Sequence, residues 1–223
     1  MIKILPEEVI KKIAAGETVE RPASVAKELI ENAIDAGATS ITLKISQGGR
    51  NLIRVTDNGS GITAEDMNNL FKPHATSKIA EEADLSNILT LGFRGEALWA
   101  ISSVARVTVS SRVPGHDEGY TISCNGGDRS SIEPCACPPG TTVEVRNIFY
   151  NTPARLKFLR SARTEHAQVW NVFERFLLCY PNVRFEFESD EGSRVFARCD
   201  GVQARIAQLG EPEMAAKLIF VKE

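Results

Sequence analysis

The chain has 223 residues, 43% of them apolar and 25% charged, with a net charge of −3, the profile of a soluble globular protein with one good-sized core. That balance excludes a strongly basic nucleic-acid binder, though not a local basic patch, and no run approaches the roughly 20 apolar residues of a membrane span. Five irregularly spaced cysteines, no zinc spacing at Cys135-Ala-Cys137 and no secretory pattern in MIKILPEEVIKK lead us to expect reduced thiols in an intracellular protein.

In chain order, LPEEVIKKIAAG predicts a short helix, with Pro6 in its first turn and Gly16 beyond its end. RPASVAKELIENAIDAG predicts a longer one, with Pro22 early and Gly37 as the stop. SITLKIS and NLIRVTD read as strands joined by a turn at QGGR. TAEDMNNLF opens on a capping-box-like pair, Thr63 and Asp66. From Lys72 to about Gly95 the sequence is polar and irregular, which suits a lid over a site. EALWAISSVA is then a mostly apolar helix, followed by strands at RVTVSSR, YTISC, SSIEP and TTVEVRNIF. An amphipathic helix spans SARTEHAQVWNVFERFLLCY. The alternating strand VRFEFES pairs with SRVFAR, and VQARIAQLG is a last helix. Strands with helices before, between and after them predict an α+β fold: a two-layer sandwich of a largely antiparallel mixed sheet with helices on one face.

Three clusters have the residue types for chemistry. On the second helix, Glu28, Asn32 and Asp35 fall within about 60° of one another. Alone they read as well, or better, as a solvated border between an apolar arc and a charged arc formed by Lys27 and Glu31. As a site, Glu28 would take a proton from water and Asn32 would offer a hard oxygen to Mg²⁺. In VTDNGSGI, strand parity puts Asp57 on the core side with Ile53 and Val55, where an unpartnered carboxylate is costly. A capped turn explains this more simply; the alternative is a pocket reading the exocyclic amine of adenine, with Gly59 and Gly61 giving the ring room. In LGFRGEAL, Gly92 and Gly95 flank Phe93 and Arg94 at a helix start, a favourable place for phosphates or, equally well on its own, a helix entry with a flexible leader, and HATSK adds Thr76, Ser77 and Lys78. Together the three describe a nucleotide pocket without a P-loop.

IAAGETVERPASVAKELIENAIDAGAT, DNGSGI, HATSKI, LGFRGEAL and FYNTPARLKFL resemble the signature runs of the MutL family of DNA mismatch-repair proteins, members of the GHKL ATPases. The resemblance covers nearly the whole chain and implies a GHKL-type ATP-binding domain over 1–200, with 201–223 starting a second domain. It implies that Glu28 is the general base and Asn32 the Mg²⁺ ligand, and that Asp57 and Gly61 contact adenine. Thr76, Phe93, Arg94 and Gly95 fall in the lid, with Ser77 and Lys78 beside Thr76 as further nucleotide contacts, and Thr141 lies behind the base. Arg155, Lys157, Arg160 and Arg163 would stand near DNA phosphates, although a solvated basic loop explains their charge equally well. The cofactors implied are ATP and Mg²⁺, and the partners a mismatch-recognition protein, weakly held DNA and a second N-terminal domain, as homo- or heterodimer. The second domain of the family brings a catalytic lysine, so the chain is expected to be a fragment or a short paralogue. The alternative function is a nucleotide-gated binding module without turnover.

Overall fold

The computed structural model describes residues 18–75, 91–92 and 95–210. The first predicted helix and most of the predicted lid lie outside them. Helix α1 (Pro22–Asp35) starts with its proline in the first turn, where a missing N–H costs nothing, and ends just before Gly37. Strands β1 (Ser40–Ser46) and β2 (Leu52–Asp57) are antiparallel neighbours joined through a tight turn at Gln47–Gly49. A one-turn helix α2 (Ala64–Met67) follows, its Thr63 hydroxyl accepting from the Asp66 N–H at 3.1 Å as the capping pair predicts.

Helix α3 (Ala97–Val104) leads into β3 (Arg106–Arg112), β4 (Gly119–Asn125), the short β5 (Asp128–Arg129) and β6 (Glu133–Cys135), and β7 (Gly140–Arg146). A six-residue helix α4 (Pro153–Phe158), not expected from the sequence, precedes the long α5 (Ala162–Cys179). The chain closes with β8 (Arg184–Ser189), β9 (Gly192–Phe196) and α6 (Gly201–Gln208). The nine strands among the described residues form one sheet in the order β5-β4-β3-β7-β2-β1-β8-β9, with β6 also on β4. Only β1–β8 is parallel among these pairings, so the sheet is mixed and largely antiparallel, as expected.

Alternation along the strands separates two faces. One face carries Ile41, Leu43, Ile45, Ile53, Val55, Val107, Val109, Val145, Phe185 and Phe187, all buried beneath α1, α3 and α5. Under α5, Phe173 packs edge-on against Phe185 with centroids 5.6 Å apart, and Trp170 does the same to Phe187 at 5.2 Å. Each such ring contributes about 1.5–3 kcal/mol through burial, plus a further increment from its edge-to-face geometry. The other face is polar: Lys44 pairs with Glu188, Arg54 and Arg146 both hold Glu144, and the Thr56 and Thr142 hydroxyls meet at 3.1 Å. Fully buried Arg205 fastens α6 to this frame by donating to the carbonyls of Pro181, Val183 and Ala197. None of the described helices is long and apolar enough to cross a membrane.

Candidate functional site

The register of β2 against β7 sets Asp57 opposite Thr141 and Val55 opposite Val143, and all four line a cleft of about 910 Å³. Helix α1 forms the facing wall with Glu28 and Asn32, and Gly61 and Gly95 complete the rim. Six of the eleven predicted site residues, Glu28, Asn32, Asp57, Gly61, Gly95 and Thr141, therefore line one cavity. Thr76, Ser77, Lys78, Phe93 and Arg94 lie outside the described residues. The cleft has the size expected of a ligand site, with an apolar floor and a few convergent polar groups.

Asp57 is where local rules conflict. Its strand parity directs it inward, where it accepts from the Gly59 N–H at 2.8 Å. Burial pushes its carboxyl up to about 6, and the N–H groups of Gly59 and Thr141 only partly offset this. Asp57 caps the turn with one oxygen, as the simpler reading expects, and it also lies on the wall of the cavity. Behind it, the Ser111 hydroxyl donates to the Gly140 carbonyl at 2.7 Å, meets the Thr141 hydroxyl at 2.9 Å and accepts from the Ile62 N–H at 2.9 Å. Ser111 thereby ties three segments of the wall together. Nothing in the run SSR distinguished it from its neighbours; only the β3–β7 register does.

The glycines of this turn also meet a steric requirement of the fold. A Cβ on Gly59 would meet the Ala36 carbonyl oxygen at 2.7 Å, and one on Gly61, at φ +71°, would meet the Arg112 carbonyl oxygen at 2.5 Å. Both are thus required where the chain packs against the end of α1 and the end of β3, whatever the cavity holds.

On α1, Lys27 Nζ lies 3.5 Å from Glu28 and 2.9 Å from Glu31. Glu31, placed by sequence on a charged arc, is instead buried, and that burial raises its carboxyl above the usual range. Lys27, itself exposed, reaches over the helix surface to pair with it. Asp35 does more than border a stripe: its carboxylate accepts from the Leu91 and Gly92 N–H groups at 3.0 and 3.2 Å. It clamps the glycine run to α1, and His74 and Glu96 meet at 3.1 Å across the rim. In the basic loop, Arg155 stacks on the Phe149 ring with 5.5 Å to the centroid, while Lys157, Arg160 and Arg163 are exposed.

The described lining is rich in oxygen acceptors, and Lys27 is already engaged by two carboxylates. A polyphosphate entering it needs a counter-charge. Among the described residues no group of three or more His, Cys, Asp or Glu side chains is arranged to hold a metal. One amide oxygen at Asn32 and a phosphate ligand fit a hard cation such as Mg²⁺, which usually takes one or two protein ligands besides phosphate and water.

The family model described as histidine kinase-, DNA gyrase B-, and HSP90-like ATPase matches residues 20–141. The DNA mismatch repair protein MutL of Trichlorobacter lovleyi is 54% identical over 189 residues, 85% of this chain and 32% of that protein. The MutL of Histophilus somni is 55% identical over 185 residues, 82% of this chain and 30% of that protein. The chain thus spans about a third of the length of these curated relatives. The solved Aquifex aeolicus MutL ATPase domain complexed with ADP matches with a TM-score of 0.68 at 30% identity, covering 86% of this chain and 69% of that one.

Proposed function

The chain belongs to the histidine kinase-, DNA gyrase B- and HSP90-like ATPases, in the MutL branch, as an N-terminal ATPase domain, and from this premise we propose that its cleft binds Mg²⁺-ATP and hydrolyses it slowly. The observation that carries the proposal is Asp57, an inward carboxylate on an apolar floor across the cavity from Glu28 and Asn32. A carboxylate in that position selects a ligand that brings an amine donor and an apolar face, which adenine does.

In this reading Asp57 accepts from the exocyclic amine of adenine, Gly61 contributes adjoining backbone, and Thr141 stands behind the base. The ring rests against Val55 and Val143. Asn32 holds Mg²⁺, which when bound neutralises charge on the phosphates. Glu28 holds a water for in-line attack on the γ-phosphate and accepts its proton. Thr76, Ser77, Lys78, Phe93, Arg94 and Gly95 form the lid over the phosphates, where backbone N–H groups meet developing charge. The clamp of Asp35 on Leu91 and Gly92 fixes the end of that lid relative to the catalytic helix.

We extend the proposal to the longer protein. ATP closes the lid and joins two N-terminal domains into a clamp that acts in mismatch repair with DNA and a mismatch-recognition protein inside the cell. The ATP-binding domain runs to about residue 200, and the segment from 201 begins the next domain. The exposed Lys157, Arg160 and Arg163 supply phosphate contacts, which salt weakens.

Base choice tests the site. Guanine presents an acceptor where adenine presents a donor, so it would set two acceptors against each other at Asp57. In competition against a fluorescent ATP analogue, ATP is expected to displace the probe at concentrations about tenfold or more below GTP, as the loss of one charge-assisted hydrogen bond requires. Equal displacement by the two nucleotides would overturn the role given to Asp57.

A further inference from the structure

We propose that Cys135 and Cys137 form a dithiol–disulfide site that reacts with low-molecular-weight disulfides. The two thiols, both half-buried, lie in contact, with Cys135 Sγ donating to Cys137 Sγ at 3.7 Å. Cys135 ends β6, a three-residue strand on the outer edge of β4, and Cys137 follows it two residues later in the connection to β7. The place is shaped for the second sulfur. Gly119 pairs with Cys135, and a side chain on Gly119 would collide with Cys137 Sγ, so the thiol occupies space that only a glycine leaves. A bonded pair needs its sulfurs near 2.05 Å, a closure of less than about 2 Å that a short edge strand allows.

The remaining cysteines offer no such arrangement. Cys124 is buried in the core, Cys179 is exposed on α5, and Cys199 rests against the carbonyls of Pro181 and Gly201. Burial and the hydrogen bond to Cys137 push the Cys135 thiol up, with the Ser110 hydroxyl partly offsetting them. Either thiol can open the exchange, taken here from Cys137. Its thiolate attacks one sulfur of the small disulfide, forms a mixed disulfide and expels one thiolate. Cys135 then gives up its proton and attacks the Cys137 sulfur, expelling the second thiol. One protein disulfide replaces two thiols, and one small disulfide is reduced to two thiols. Nothing in this site depends on what the cleft binds.

The test uses oxidised glutathione on the reduced protein, an acid quench and peptide mass mapping. The wild-type chain is expected to show an internal Cys135–Cys137 bond, read as the loss of two hydrogens with no glutathione retained on that peptide, while exposed Cys179 carries a glutathione adduct. Cys135→Ser should instead accumulate the mixed disulfide at Cys137. Two free thiols in the wild-type peptide under conditions that modify Cys179, or a persistent glutathione adduct on either cysteine of the pair, would overturn the proposal.

Discussion

Replacing Glu28 by Gln is expected to lower ATP turnover by about 10²–10⁴-fold while leaving nucleotide affinity nearly unchanged. The substitution keeps the shape of the side chain and removes only its ability to take a proton. Glu28 faces the cavity from α1, partly exposed, and its contact with Lys27 at 3.5 Å lies on the helix surface, outside the core. The fold should therefore tolerate the change, and near-equal melting temperatures would establish that. Single-turnover phosphate release together with analogue binding separates the possible outcomes. Equal turnover by both proteins would remove Glu28 from the chemistry. Binding by the wild-type chain without any turnover would favour the alternative, a nucleotide-gated module that senses ATP.

The second large effect joins function to stability at Asp57. Asp57→Asn is expected to stabilise the empty protein at pH 8 while weakening its hold on ATP. Burial lifts the folded-state carboxyl from 3.8 to about 6, so the folded state binds the proton more tightly than the unfolded chain does. The sign follows from linkage. Stability is greatest below about pH 4, falls as pH rises from about 4 to 6, and stays at the lower level above 6. That gap corresponds to about 3 kcal/mol at 1.36 kcal/mol per tenfold change. The neutral amide recovers part of it, about 1–2 kcal/mol, because its own polar atoms are still partly buried. For a domain of this size the gain is about 2–8 °C in melting temperature. The amide can still accept from the Gly59 N–H, so the turn survives. A melting-temperature gain at pH 8 that vanishes near pH 4 would match this origin. A loss of stability at pH 8 would show that the capping bonds outweigh the burial cost.

The sheet was legible in the sequence because alternation is a local signal. Ile41, Leu43 and Ile45 share a parity that burial confirms, and the turn at QGGR pairs the strands that it separates. The parity of Asp57 was legible in the same way, since the carboxylate occupies an inward position by simple counting. Helix α4 was not, because its six residues bury no side chain and leave no apolar stripe to detect. Glu31 misled for a related reason. A helical wheel shows which residues share a face but not that Glu31 is buried while Lys27 pairs with it from the surface. Ser111 and the Asp35 clamp depend on contacts 30 and 57 residues away in sequence, respectively, which no local pattern encodes. The glycines of the turn were noticed for their freedom, yet what requires them is the nearby backbone of Ala36 and Arg112.

The most direct test is a calorimetric titration of a non-hydrolysable ATP analogue with Mg²⁺ into the wild-type chain and Asp57→Ala at pH 8. Loss of the adenine-reading carboxylate should weaken binding by about 10–100-fold, the range of one hydrogen bond to a charged group, with both proteins folded by circular dichroism. Unchanged affinity would contradict the assignment of Asp57 to adenine, and with it the nucleotide reading of the cleft.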